Sequence, residues 1–153
     1  MAITPKVNLE TDIPRLYLRA TCRGNPGPGS WAAILEGEGG REESTGVVQS
    51  TTNNRMELAA AVEGLRMVDS GSSIQVFTTS DYLHQGITRW ISGWQANGWQ
   101  KKDGQPVANA DLWRKLADVA KTHNITWVNA KGLQLEALDA AGRLAAQAAS
   151  VKK

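Results

Sequence analysis

The chain is poor in the residues that build disulfide frameworks, zinc clusters and membrane spans. Its 153 residues include a single cysteine, Cys22, so no intrachain disulfide can form and a reducing cytosol is the expected setting. Histidine is nearly as scarce, at two. Cys22, His84 and His123 are too scattered for metal-ligand spacing or a nucleophile and its base, which leaves zinc and thiol chemistry without support. No apolar run approaches the ~20 residues that cross a bilayer. Met1–Lys6 carries no signal-peptide pattern, so a cytoplasmic chain without membrane contact is expected. Neither sign of charge dominates: 17 basic against 15 acidic residues leave +2, too little by itself to argue for a nucleic-acid partner. Internal repeats and interdomain linkers are also lacking.

What is present suits one globular domain, with 41% hydrophobic and 21% charged residues. Residues 1–14 read as an N-terminal extension and residues 15–153 as the domain. Arg15–Thr21 alternates apolar and polar residues, as a strand does, and the loop Gly24-Asn25-Pro26-Gly27-Pro28-Gly29 ends it. Trp31–Glu36 and Glu42–Val48, joined by a glycine-rich turn, predict two further strands and an antiparallel meander. Leu58, Ala61, Val62, Leu65 and Val68 recur at helical spacing after the polar start Thr51–Asn54, and Gly71 stops that helix. Ile74–Thr78 predicts a strand, and a strand after a helix suggests parallel addition to the sheet. Tyr82–Ala96 predicts one or two helices interrupted at Gly86 and Gly93, followed by a loop over Asn97–Asn109. Ala110–Thr122 predicts a helix, Ile125–Asn129 a strand and Leu135–Val151 a last helix.

This order, together with Gly24–Gly29, Thr51-Thr52-Asn53-Asn54-Arg55-Met56-Glu57-Leu58, Gln85–Ile91 and Asn109–Trp113, closely resembles ribonuclease HI from about Leu16 to Ala149. The resemblance implies an α/β, RNase H-like fold. Its mixed five-stranded sheet would have three antiparallel strands, then parallel additions, with helices on both faces. Members of that family cut the RNA strand of RNA/DNA hybrids with two divalent ions held by four acidic residues, assisted by a mobile histidine. Carboxylates suit the task because Mg²⁺ prefers oxygen ligands, and paired metals stabilise both the attacking and the leaving oxygen.

Carried over position by position, that acid set is largely missing. Arg19, Glu57, Thr79 and Gly142 (or Ala141, one residue earlier) occupy the four places, and Lys131-Gly132-Leu133 stands where the family has Lys-Gly-His. Glu57 is the sole matching acid. A guanidinium ~5 Å from a divalent ion costs about 6–7 kcal/mol at an effective dielectric of ~20. No metal cofactor is therefore expected, Mg or Mn entering only if the site is active, and Arg19 is expected to fork onto Glu57. By the same resemblance, Asn25, Thr52 and Asn109 would form a pocket for a DNA phosphate, and Asn53, Asn54 and Gln85 would touch the minor groove. Trp90 would lie near the DNA strand. Lys101 and Lys102 are what remains of a basic handle, so any hybrid binding is expected to be weak.

Structural readings stand beside these. Glu57 lies three residues after Asn54 and could close a capping arrangement. Asp81 and Asp139 fall two or three residues from expected acid positions, and such a shift moves a carboxylate ~3–7 Å. Ser80-Asp81 is better read as a helix start and Asp139 as an i, i+4 partner of Arg143. The Asn and Thr residues could serve turns and caps, and Trp90, Trp94 and Trp113 could be core. Three functions remain open. The first is an RNase H-like pseudoenzyme that binds RNA/DNA hybrid or duplex nucleic acid with little or no cleavage. The others are an active divergent ribonuclease H rebuilt around Glu57, Asp81 and Asp139, and an interaction module for an unknown protein partner.

Overall fold

The computed structural model describes residues 13–151, with side chains to 149. All but the last two residues of the expected N-terminal extension lie outside that range. Three strands come first: β1 (Arg15–Cys22), β2 (Gly27–Gly37) and β3 (Gly40–Thr51). Helix α1 (Asn53–Arg66) and strand β4 (Ser73–Thr78) follow. Then come α2 (Asp81–Gln85), a π-helical turn (Gly86–Trp90), α3 (Ile91–Ala96), α4 (Ala110–Ala120), β5 (Asn124–Asn129) and α5 (Glu136–Val151). The sheet runs β3-β2-β1-β4-β5. The first three strands pair antiparallel, and β4 and β5 add parallel to β1. The RNase H-like α/β architecture expected from the sequence is present. No helix among the described residues is long and apolar enough to cross a membrane.

Period-two alternation along β1 builds the layers. Leu16 and Leu18 point into one core with Leu58, Ala61, Val62 and Leu65 of α1, and with Trp113 and Leu116 of α4. Tyr17 points to the other face, stacked on Phe77 with ring centroids 4.9 Å apart, in a core shared with Ala137, Leu138, Ala141 and Ala145 of α5. Helices therefore cover both faces. The Ser30 hydroxyl, fully buried on β2, donates to the Ala145 carbonyl and fixes α5 against the sheet.

Two local expectations change. β2 and β3 extend beyond the apolar runs because their ladder continues through polar and glycine positions, from Gly37↔Gly40 to Gly27↔Thr51. Gly93 does not interrupt a helix: it lies inside α3 with open space around it. Gly86 does mark a break, and its lack of a side chain has a packing reason. A Cβ there would stand 2.1 Å from Cη2 of the buried Trp113 ring.

Candidate functional site

One end of the site is a satisfied polar network around the start of α1. Thr52 is the N-cap, its hydroxyl accepting from the Arg55 amide at 3.2 Å. The Asn53 amide donates to Asn25 Oδ1 at 3.3 Å, which ties the β1–β2 loop to the helix start. The Cys22 thiol lies 3.1 Å from the Gly24 carbonyl and 3.4 Å from that of Thr51, bracing the same loop. Arg55 forks onto Asp111 at 3.1 and 2.8 Å and donates to Asn109 Oδ1 at 3.2 Å. Asn109 is left-handed, with φ 60°. Its Nδ2 donates to the Tyr82 hydroxyl at 3.0 Å, and Trp113 Nε1 reaches the same oxygen at 3.0 Å. The Arg55 guanidinium, through its hydrogen bonds, holds the Asp111 carboxyl down to about 2.

Thr52 and Asn109 are thus joined through Arg55, which sequence reasoning did not single out, and Asn25 is tied to the same helix start through the Asn53 amide. A signal existed: a cation in the first turn of a helix opposes the helix dipole, so an arginine there implies a partner elsewhere. Asp111 and Tyr82 were missed with it. Asn53 and Asn54 are exposed on the first turn of α1, and Gln85 is half-buried at the end of α2.

The tryptophans divide between core and surface. Trp113 is fully buried, whereas Trp90 is 40% exposed. Between them Trp94 packs 5.9 Å from Trp90 and 5.3 Å from Trp113, centroid to centroid. Trp90 opens onto a groove of about 730 Å³ that Arg89, Trp94, Gln100, Lys101 and Lys102 also line. Its lining holds three cations and no acid, a surface suited to polyanions. Arg89 is a further cation that the sequence reading overlooked.

The other end holds the four acid positions. Arg19 lies near the end of β1, opposite Ala32 of β2. Leu18 pairs with Thr78, so Thr79 leaves β4 beside it, half-buried. A Cβ on Gly142 would stand 3.1 Å from Arg19 Cζ and Nη1. Ala141 is buried in the α5 core. Gly142, and not Ala141, is therefore the α5 position that faces this pocket. Glu57 is 6% exposed, and its Oε1 has no hydrogen-bond partner. Burial pushes its carboxyl up to about 7, against the opposing pull of the Arg19 charge and an Asn53 side-chain contact.

Three local expectations are corrected here. Arg19 does not fork onto Glu57; its Nη1 donates to the Leu138 carbonyl at 3.3 Å. The physical reason is the missing side chain at residue 142, which lets the guanidinium lie against α5. Glu57 is no capping partner of Asn54, because Thr52 is the N-cap. Asp139 does not pair with Arg143, whose Nη2 lies 4.0 Å from Glu136. Leu133, in place of the family's histidine, packs against the α5-side core. The helix-start reading at Ser80-Asp81 stands: the Ser80 hydroxyl accepts from the Leu83 amide at 3.0 Å. Asp81 is turned to Asn129, at 2.9 Å, and to Lys131.

Among the described residues no three His, Cys, Asp or Glu side chains converge as a metal cluster would. The pocket offers one buried carboxyl held toward its neutral form, one hydroxyl residue and one guanidinium. That donor set does not fit a pair of hard divalent ions.

Comparison with known proteins gives this arrangement its context. The RNase H family model matches residues 14–150. Ribonuclease H of Cupriavidus metallidurans is 46% identical over 112 residues, 73% of this chain and 77% of that protein. Ribonuclease H of Rickettsia massiliae is 47% identical over 117 residues, 76% of this chain and 77% of its own length. Among solved structures, LC9-RNase H1, a type 1 RNase H with the type 2 active-site motif, superposes with a TM-score of 0.80 at 28% identity. That match covers 96% of this chain and 76% of the other. LC11-RNase H1, solved in complex with RNA/DNA hybrid, shares the fold with a TM-score of 0.63 at 20% identity, over 90% of this chain and 97% of its own.

Proposed function

The chain belongs to the ribonuclease H family, and from that premise we propose that it grips RNA/DNA hybrid or duplex nucleic acid with little or no cleavage. The observation that carries this reading is the Arg19 guanidinium lying where Gly142 leaves room for it, with Glu57 the only acid of the four positions. A cation in that place opposes divalent binding by several kcal/mol, about 6–7 at ~5 Å. The gripping residues are intact beside it. Asn25, bonded to the Asn53 amide, with Thr52 and Asn109, joined through Arg55, suit a backbone phosphate. Exposed Asn53 and Asn54 with Gln85 suit a groove read by shape and 2′-hydroxyls. Trp90, Lys101 and Lys102, joined by Arg89, suit the second strand. A relative of the same fold solved with RNA/DNA hybrid supports that class of partner. The single cysteine suits a reducing cytosol.

A second reading has its own support. Relatives above 40% identity carry the name ribonuclease H, which favours an active enzyme with a rearranged site and a Mg or Mn requirement. Incubating purified protein with labelled hybrid and either metal separates the two. Binding without product supports the first reading; cleavage that disappears in Glu57→Ala overturns it.

A further inference from the structure

The loss of three acids does not by itself account for Arg19. The guanidinium is accommodated: Gly142 supplies the space, with Arg19 Cζ, Nη1 and Nη2 at 3.1, 3.1 and 3.3 Å from where a Cβ would be. One N–H donates to the Leu138 carbonyl at 3.3 Å, and a guanidinium carries several more donors. Arg19 is half-buried, so its head is held by the protein yet reachable from solvent. Beside it lie the half-buried Thr79 and the buried Glu57, whose Oε1 has no partner.

We infer that this pocket takes a backbone phosphate of the bound nucleic acid directly, with Arg19 as a resident cation, so that binding needs no divalent ion. The inference rests on the nucleic-acid reading above. Four clustered carboxylates would repel a phosphodiester unless metal ions intervened. Here one arginine and at most one ionised glutamate leave no net negative charge, and the repulsion is gone. A guanidinium matches two phosphate oxygens in a fork, which a hydrated lysine does less well.

The test is fluorescence anisotropy with a short labelled RNA/DNA hybrid, in EDTA and in excess magnesium. Wild-type affinity should agree within about twofold in the two buffers. Arg19→Met should weaken binding about five- to tenfold at low salt and lower the slope of log affinity against log salt by about one. Arg19→Lys should recover part of the loss. Circular dichroism checks that the variants fold. Independently of any variant, the wild-type Arg19 Nε–Hε resonance should shift when hybrid is added. Affinity that rises more than about tenfold with magnesium, an unmoved Arg19 signal, or a folded Arg19→Met that matches wild type would each overturn this inference while leaving hybrid binding in place. No wild-type binding at low salt would remove both.

Discussion

The first and second turns of α1 handle polar atoms in opposite ways. At its N-terminus each named polar group has a partner: Thr52 caps the helix, and Arg55 is shared between Asp111 and Asn109, which is held in turn by Tyr82 and Trp113. Little more than one turn later, Glu57 is buried with Oε1 unpaired and its carboxyl pushed up to about 7. Satisfied buried networks hold one geometry, and unpaired buried groups are tolerated where something else is gained or bound. On the proposed reading, the first region is a preformed grip. The second is a pocket that kept its position in the fold and lost the charge that would suit divalent ions.

The contrast can be broken most sharply by restoring the missing charge. Arg19→Asp combined with Thr79→Asp and Gly142→Asp should create Mn²⁺ affinity at the pocket, where none is expected of the wild type. Thermal melts would show the metal stabilising the triple variant by about 3 kcal/mol at a hundredfold excess over Kd, and leaving wild type unmoved. Next comes the pH dependence of Glu57. Its carboxyl sits at about 7 in the folded state against an ordinary 4.5, so between these values the native state keeps a proton that the unfolded chain releases. Stability should therefore fall as pH rises through that window and level off above it, by about 3 kcal/mol in all. Urea titrations at several pH values should show Glu57→Gln flattening the decline.

Smaller changes separate the grip from the pocket. Gly86→Ala would drive a methyl into the Trp113 ring and should cost about 2 kcal/mol, read in denaturant midpoints. It should also weaken hybrid binding through Tyr82 and Asn109. Arg55→Met removes a partly exposed fork and should cost about 1 kcal/mol of stability. Its larger effect should be on hybrid affinity, measured by the same anisotropy titration.

Much of this was legible in the sequence, for identifiable reasons. The five strands and their mixed order follow from period-two runs such as Leu16-Tyr17-Leu18 and from the Gly37–Gly40 turn. Those signals are local, and burial on both faces enforces them. The positions of Arg19, Glu57 and Thr79 followed from the family resemblance, whereas the choice between Ala141 and Gly142 needed the packing of α5. Contacts between distant segments were hidden. Arg55 meets Asp111 across 56 residues, and no local pattern announces that pairing. The expected fork of Arg19 onto Glu57 failed for a similar reason. Charge complementarity was visible, but the space that draws the guanidinium away is an absence on another helix.

That shared space makes Arg19 and Gly142 a ratchet. An aspartate introduced at 142 alone would meet a guanidinium already in place and be neutralised as its ion-pair partner, never becoming a ligand. An aspartate introduced at 19 alone would face a bare helix backbone across an unfilled gap. The order of changes therefore matters: an acid at 142 can serve as a metal ligand only after the cation at 19 has gone.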